Sequence, residues 1–335
     1  MATARTRRGF LKAALAASLA GLSFFAASRV LPLLPLRHGE PPNLQQYPEF
    51  GDPGPDAFYA VAEHTELSHA ILYHDLGSSI ANARRADVLF LGNSRMPLGL
   101  REEFLVPEAD KLGLRLFSLG CGYAELLRFP LELIKKHDLR PQVVVVSGGP
   151  HMFFEGVSSV AEEALAMTRW DAAKQWLEVA ASWNLRTRLH AALPRLDFFD
   201  RRLHSDWVTY RSARTGWWRP VAEPRGRYET KLAEKPITDW SELLPFAEEF
   251  HRELVDRGAQ LVLTLVPYVD AHVGHLAFLS DELGVPAIVP SFDGVTVADG
   301  SHLNRESAGT VSLSFWEAFL ALPEVRDALG IDRAH

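Results

Sequence analysis

The chain has 335 residues, of which 47% are hydrophobic and 23% charged, and a net charge of -7. That balance is globular, with material for one large domain or two small ones, and its acidity disfavours nonspecific binding to nucleic acid, so no nucleic-acid partner is expected. The one cysteine, Cys121, excludes an intrachain disulfide and a cysteine metal cluster, and no cysteine follows the apolar head for lipid attachment.

Residues 1–36 form the first predicted unit. Arg5, Arg7, Arg8 and Lys12 precede an apolar stretch, Ala13 to Ser28, with no acidic residue among them. Basic start followed by apolar region is the order of a secretion signal. Arg7-Arg8-Gly9-Phe10-Leu11-Lys12 resembles a twin-arginine translocation signal, which implies the twin-arginine export machinery as a partner and a periplasmic or extracellular location. The stretch is shorter than the ~20 residues of a membrane span. Apolarity nevertheless continues through Val30-Leu31-Pro32-Leu33-Leu34, and Ala26-Ala27-Ser28 is the candidate cleavage site. Cleavage and retention as an inner-membrane anchor both stand. Residues 37–57 hold Pro41, Pro42, Pro48, Pro53 and Pro55 and read as a linker.

From residue 58 to 335 the pattern is that of one α/β domain. Strands are predicted at Asp87–Leu91, Leu114–Leu119, Gln142–Ser147, Gln260–Val266 and Ala287–Pro290. Helical segments fall at Leu98–Leu112 with a break near Pro107, and at Tyr123–His137, where Leu126, Leu127, Leu131 and Ile134 recur at three and four. Further helices fall at Asp239–Asp256, Ala271–Leu283 and Arg305–Leu320. Near-continuous apolar strands between helices predict a parallel sheet covered on both faces: a doubly wound, three-layer α/β/α fold of flavodoxin-like order. About residues 155–236 the alternation stops. This insertion is expected to be helical over Ala161–Ala192 and irregular over Asp197–Lys235.

Functional groups of such a sheet collect where strands end. Ser94 follows the first strand in Gly92-Asn93-Ser94-Arg95, and Asp299 and His302 stand three apart in Asp299-Gly300-Ser301-His302-Leu303-Asn304. A hydroxyl, an imidazole and a carboxylate are the parts of an activated serine nucleophile, and a three-residue spacing lets the carboxylate reach the ring within one turn. Taken singly, Ser94 also reads as a helix cap, and Asp299 and His302 as a capping acid and a surface imidazole. The serine does not lie in a Gly-x-Ser-x-Gly elbow, because Met96 occupies the second glycine position.

These segments, with the glycine turn Gly120-Cys121-Gly122 between them, resemble the SGNH (GDSL-like) hydrolase superfamily over Ala86–Leu322, interrupted by the insertion. The resemblance implies Ser94 as nucleophile, His302 as base and Asp299 as its orienting carboxylate. It also implies the N–H groups of Ser94 and Gly120 as oxyanion-hole donors. The family's Asn after the third strand is missing from Ser147-Gly148-Gly149-Pro150-His151, so the third donor falls to Gly149 or Gly148, or to the His151 ring. The function implied is an exported serine esterase or O-acyltransferase acting on an acetyl-like ester of an envelope or secreted glycan, with that glycan or a small acyl ester as partner and no cofactor. The alternatives are a catalytically weak polysaccharide-binding envelope-assembly protein and a secreted lipase or esterase.

Other side chains carry weaker signals. Arg95, beside Ser94, is a candidate ligand for a substrate carboxylate or phosphate, or for an acidic neighbour within the protein. Trp217 and Trp218, with Arg211, Arg214 and Arg219, form either a platform for sugars or an anionic polymer, or a lid packed on its own aromatics. Asp270, His272 and His275 do not complete a metal set, and no metal is expected. Cys121 reads as a small packed residue.

Overall fold

The computed structural model describes residues 56–62, 65–122, 125–192, 209–220, 227–233 and 239–331. The twin-arginine segment and nearly all of the predicted linker lie outside them. No helix among the described residues is long and apolar enough to cross a membrane.

A parallel sheet forms the centre. Its strands are β3 (Val88–Gly92), β4 (Leu116–Ser118), β5 (Val143–Ser147), β9 (Gln260–Thr264) and β10 (Ala287–Ile288), in spatial order β4-β3-β5-β9-β10. Register is tight at the centre: Gly92 stands opposite Ser147, and Ser147 opposite Thr264. The strands are apolar throughout because both faces are covered. Leu89, Leu91, Val144, Val146, Leu261 and Leu263 pack against α5 (Arg128–His137), α8 (Leu244–Val255) and α9 (Gly274–Leu283). Val88, Phe90, Val143, Val145 and Val262 join a second core with α4 (Glu102–Lys111), α10 (Arg305–Ala321) and α11 (Pro323–Leu329). Period-two alternation thus divides each strand between two hydrophobic layers.

Three local expectations change. Pro107 does not break α4, which runs through it. Its missing N–H forfeits a bond to the carbonyl of Glu103, and both residues are exposed, so water can serve that oxygen. The predicted helix Ala161–Ala192 is two helices, α6 (Ser159–Ala166) and α7 (Arg169–Ala192). The segment expected to be irregular contains β6 (Thr209–Ser212), β7 (Trp218–Pro220) and β8 (Tyr228–Glu229).

Those strands give the insertion an architecture of its own. β6 and β7 join β1 (Ala57–Ala62) and β2 (Thr65–Glu66) in an antiparallel sheet of order β2-β1-β6-β7. The predicted linker therefore ends inside a strand at Ala57, and the residues after it are locked to the insertion rather than hinged. Between β2 and β3 lie the short helices α1 (Ser68–Tyr73) and α2 (Ser79–Ala83), which the sequence reading leaves unassigned. β8 pairs with β11 (Thr296–Val297), just before the Asp299 loop.

Gly92 is the tightest point of the central sheet. A Cβ there would meet the Ser147 carbonyl oxygen at 2.5 Å and Met96 Cβ at 2.6 Å. Gly92→Ala should therefore lower stability by about 1–3 kcal/mol, as overpacking against backbone does, measured by urea unfolding.

Candidate active site

Three segments bring the predicted residues together. β3 ends on Gly92, and the chain turns directly into the short helix α3 (Arg95–Gly99), with Ser94 as its N-terminal flanking residue. Ser94 Oγ lies 2.9 Å from His302 Nε2, across 208 residues of sequence. On the far side of the ring, His302 Nδ1 stands 2.8 Å from Asp299 Oδ2. The hydroxyl, imidazole and carboxylate form one continuous hydrogen-bonded chain. With Asp299 ionised, the ring proton sits on Nδ1 and Nε2 is the acceptor for the Ser94 hydroxyl.

The loop that carries His302 is built for that geometry. Gly300 has φ +85°, a left-handed conformation that favours glycine, and the turn it makes aims two backbone N–H groups at one oxygen. Asp299 Oδ1 accepts from Ser301 N–H at 3.0 Å and from His302 N–H at 2.8 Å. Burial alone would raise the Asp299 carboxyl, but the hydrogen bonds from the His302 ring and backbone outweigh it and hold the group well below its ordinary range. Leu303 anchors the loop in the core, and the Asn304 side chain caps α10 by accepting from Ser307 N–H at 2.9 Å.

The oxyanion-hole candidates divide. The N–H of Ser94 has no acceptor among the described residues. Gly120 N–H points at Ser118 Oγ, 3.2 Å away, so this implied donor already holds a long, weak bond. Gly148 N–H is spent on the Thr264 carbonyl at 3.1 Å, whereas Gly149 N–H has no acceptor among the described residues. The His151 ring can donate only through Nδ1, because Nε2 is taken by Asn93. Arg95 N–H donates to Asn93 Oδ1 at 3.1 Å, which turns Asn93 Nδ2 onto His151 Nε2 at 3.1 Å. That nitrogen accepts, and its proton sits on Nδ1, beside Gly149. Burial, then the charge of Arg95, pushes His151 below its ordinary pKa and keeps it neutral.

The sequence reading of the site misses Asn93, Ser301 and Tyr268. Arg95 Nε donates to Ser301 Oγ at 2.9 Å, and the guanidinium carbon stacks 3.8 Å from the centre of the Tyr268 ring. Tyr268 follows β9 at the same sheet edge as Ser94, and that position was the available signal.

The proposed tryptophan platform is not a surface. Trp217 is 0% exposed, packs on Phe90, and donates its indole N–H to the Leu100 carbonyl. Trp218 is buried against Gly122. Arg219 is drawn onto Glu102 and Asp56. Arg211 is buried outright, with its Nη1 donating to the Gly120 carbonyl at 2.8 Å and its Nη2 to the Ser118 carbonyl. Aromatic and cationic residues read as a sugar platform are instead the joint between the antiparallel sheet and the β4 turn. His275 is also structural: it is buried, it contacts the Gly148 carbonyl at 3.1 Å, and burial lowers it to about 4 despite the opposing hydrogen bonds. No group of three or more metal-binding side chains occurs among the described residues. Cys121 is fully buried, and desolvation pushes its thiol far up.

Compared with family models, with curated proteins and with solved structures, the chain finds no match.

Two measurements follow from this geometry. Arg211→Met strands two buried carbonyls and should cost about 2–4 kcal/mol, whereas exposed Arg214→Met should stay within about 0.5 kcal/mol, both read from urea unfolding. Asp299 has a depressed folded-state pKa, so its contribution to stability is present above about pH 4 and lost as pH falls further. The stability gap between wild type and Asp299→Asn should accordingly shrink below that pH.

Proposed function

We propose that this chain is an exported serine esterase or O-acyltransferase of the SGNH (GDSL-like) superfamily, acting on an acetyl-like ester of an envelope or secreted glycan. The observation that carries the reading is the Ser94–His302–Asp299 hydrogen-bonded chain, closed between two segments that share no local sequence. The strand order β4-β3-β5-β9-β10, with helices on both faces, supports a doubly wound sheet of flavodoxin-like order, in which ligands bind at the carboxyl ends of the strands. The arginine pair and apolar run at the N-terminus support export.

The chemistry is acyl transfer. His302 Nε2 takes the Ser94 proton as Oγ bonds to the ester carbonyl carbon. Negative charge on the carbonyl oxygen is met by the N–H groups of Ser94 and Gly149, and by Gly120 N–H once it leaves Ser118 Oγ. His302 returns the proton to the leaving sugar oxygen as the C–O bond breaks, leaving an acyl ester on Ser94. Water then gives hydrolysis, or a glycan hydroxyl gives transfer, each passing its proton back through Nε2. Asp299, held ionised, keeps the ring oriented and stabilises the imidazolium.

The missing third-strand Asn favours a slower enzyme, since one lost donor costs ~10²–10³ in rate. A purely polysaccharide-binding role is disfavoured by the burial of Trp217 and Trp218, which removes the platform it invoked.

A fluorophosphonate probe should label the wild-type protein and fail to label Ser94→Ala. Asp299→Asn should reduce acyl-ester turnover by about 10²–10⁴-fold. Labelling that survives Ser94→Ala would refute the assignment.

A further inference from the structure

Arg95, like Ser94, touches both halves of the candidate site. It follows Ser94 directly in the chain, and its Nε bonds to Ser301, the residue before His302. Several other arginines hold carboxylates, Arg115 on Asp87, Arg128 on Glu249 and Arg257 on Glu253, whereas Arg85 bonds the Ala81 carbonyl and the Asn82 side chain. Arg95 holds no carboxylate among the described residues. Its ordered partners are the Ser301 hydroxyl and Tyr268, which meets it through both the ring face and a side-chain hydrogen bond. The nearest acid that acts on it is Asp299, yet both Asp299 oxygens are occupied by the Ser301 and His302 N–H groups and the His302 ring. The facing imidazole, His151, is neutral and accepts from Asn93. A half-buried cation is thus fixed in orientation, partly stripped of water, and not neutralised by a direct ion pair.

We propose that Arg95, stacked on Tyr268 and braced by Ser301, binds a carboxylate on the sugar that bears the ester, so that the preferred glycan is built from acidic, uronate-type units. With Nε spent on Ser301 and one hydrogen bond made to Tyr268, the remaining N–H groups of the two terminal nitrogens can receive a planar two-oxygen anion, which a guanidinium binds bidentately. Desolvation lowers the Arg95 pKa against the smaller opposing pull of Tyr268 and Asp299, and an arriving carboxylate would recover that cost. Stacking on Tyr268 fixes the plane of the fork before the ligand arrives, so little side-chain entropy is lost on binding. The inference rests on the acyl-transfer reading only for its account of what happens next; the binding itself stands apart.

The test is calorimetric binding of trigalacturonate and of neutral galactotriose to the full chain. Wild type should bind the uronate about 10–100-fold more tightly, the range of a charge-assisted pair, and the preference should weaken as salt is added. Arg95→Gln, with its fold checked by thermal melting, should erase the ratio, and Arg95→Lys should retain only part of it. Equal affinity for the two sugars, binding of neither, or a uronate preference that persists in Arg95→Gln overturns the proposal. A second arm compares turnover of 4-nitrophenyl acetate with that of 4-nitrophenyl hemisuccinate: an Arg95-dependent preference confined to the hemisuccinate moves the anion to the acyl group and overturns the sugar assignment. Fluorophosphonate labelling of wild-type Ser94 is scored beside both. Labelling without a uronate preference sinks the subsite alone; a uronate preference without labelling upholds the subsite and sinks acyl transfer.

Discussion

The site depends on how closely the strand ends approach one another at Gly92. This residue closes β3 opposite Ser147, and its carbonyl accepts from Cys121 N–H at 3.1 Å, so it touches the ends of both neighbouring strands. The space a side chain would need is filled by the Ser147 carbonyl and by Met96 returning beneath the turn. Met96 also reaches Gly120, where a Cβ would stand 2.6 Å from its methyl carbon. One buried methionine is therefore the floor of two glycine turns. Met96 stands where an α/β-hydrolase elbow has its second glycine; here the same position packs the core and fixes the turn that presents Ser94.

Much of this was legible because it is local. Val88-Leu89-Phe90-Leu91 and the four valines of β5 are strand-like in any buried context, and the Asp299 to His302 spacing fits one turn. What escaped depends on distant partners. β1, β6 and β7 are short strands of mixed polarity; β6 and β7 pair locally, but β1 reaches β6 only across about 150 residues of chain, a closure that no window of sequence reveals. Trp217 and Arg211 were readable as a surface pair because aromatic and cationic residues favour interfaces. Their burial follows from acceptors elsewhere, the carbonyls of Leu100, Ser118 and Gly120. The engagement of Gly120 N–H with Ser118 was equally hidden, since it turns on a rotamer and not on a motif.

The antiparallel sheet gives the insertion a structural role. Its β6–β7 turn approaches β4 so closely that Gly216, at φ +74°, leaves no room for a side chain beside the Ser118 carbonyl, and Thr215 carbonyl accepts from Ser118 N–H at 2.8 Å. Behind this contact lies a buried ionic cluster. His69 bridges to Glu125 at 2.7 Å, and Glu125 also accepts from Ser158. Burial would raise Glu125, yet the His69 contact and Ser158 hold it down, whereas burial wins at Glu66 and pushes it up toward the neutral acid. Glu125 is the charge that this arrangement favours, whereas burial lowers the pKa of Arg211 against the pull of Cys121 and Glu66. Such a network is expensive to desolvate and contributes little net stability, but it has few alternative arrangements. It fixes where the β4 turn lies, and so where Gly120 packs on Met96 and Pro97.

Two arginines thereby mark opposite uses of the same side chain. Arg211 is fully desolvated and spends its terminal nitrogens on backbone carbonyls, which hold their dipoles toward it and carry no net charge to neutralise it. Only a rigid interior repays that arrangement, because every acceptor must already be in place. Arg95 is half-buried and braced by Ser301 and Tyr268, with no carboxylate on its fork among the described residues. The first arginine makes the turn beside Ser94 immobile; the second leaves a directed positive charge at the same edge of the sheet. Rigidity on one side of Ser94 is what would give an oriented cation on the other side its value, since a carboxylate held there, as proposed, would stand at a fixed distance from the Ser94 hydroxyl.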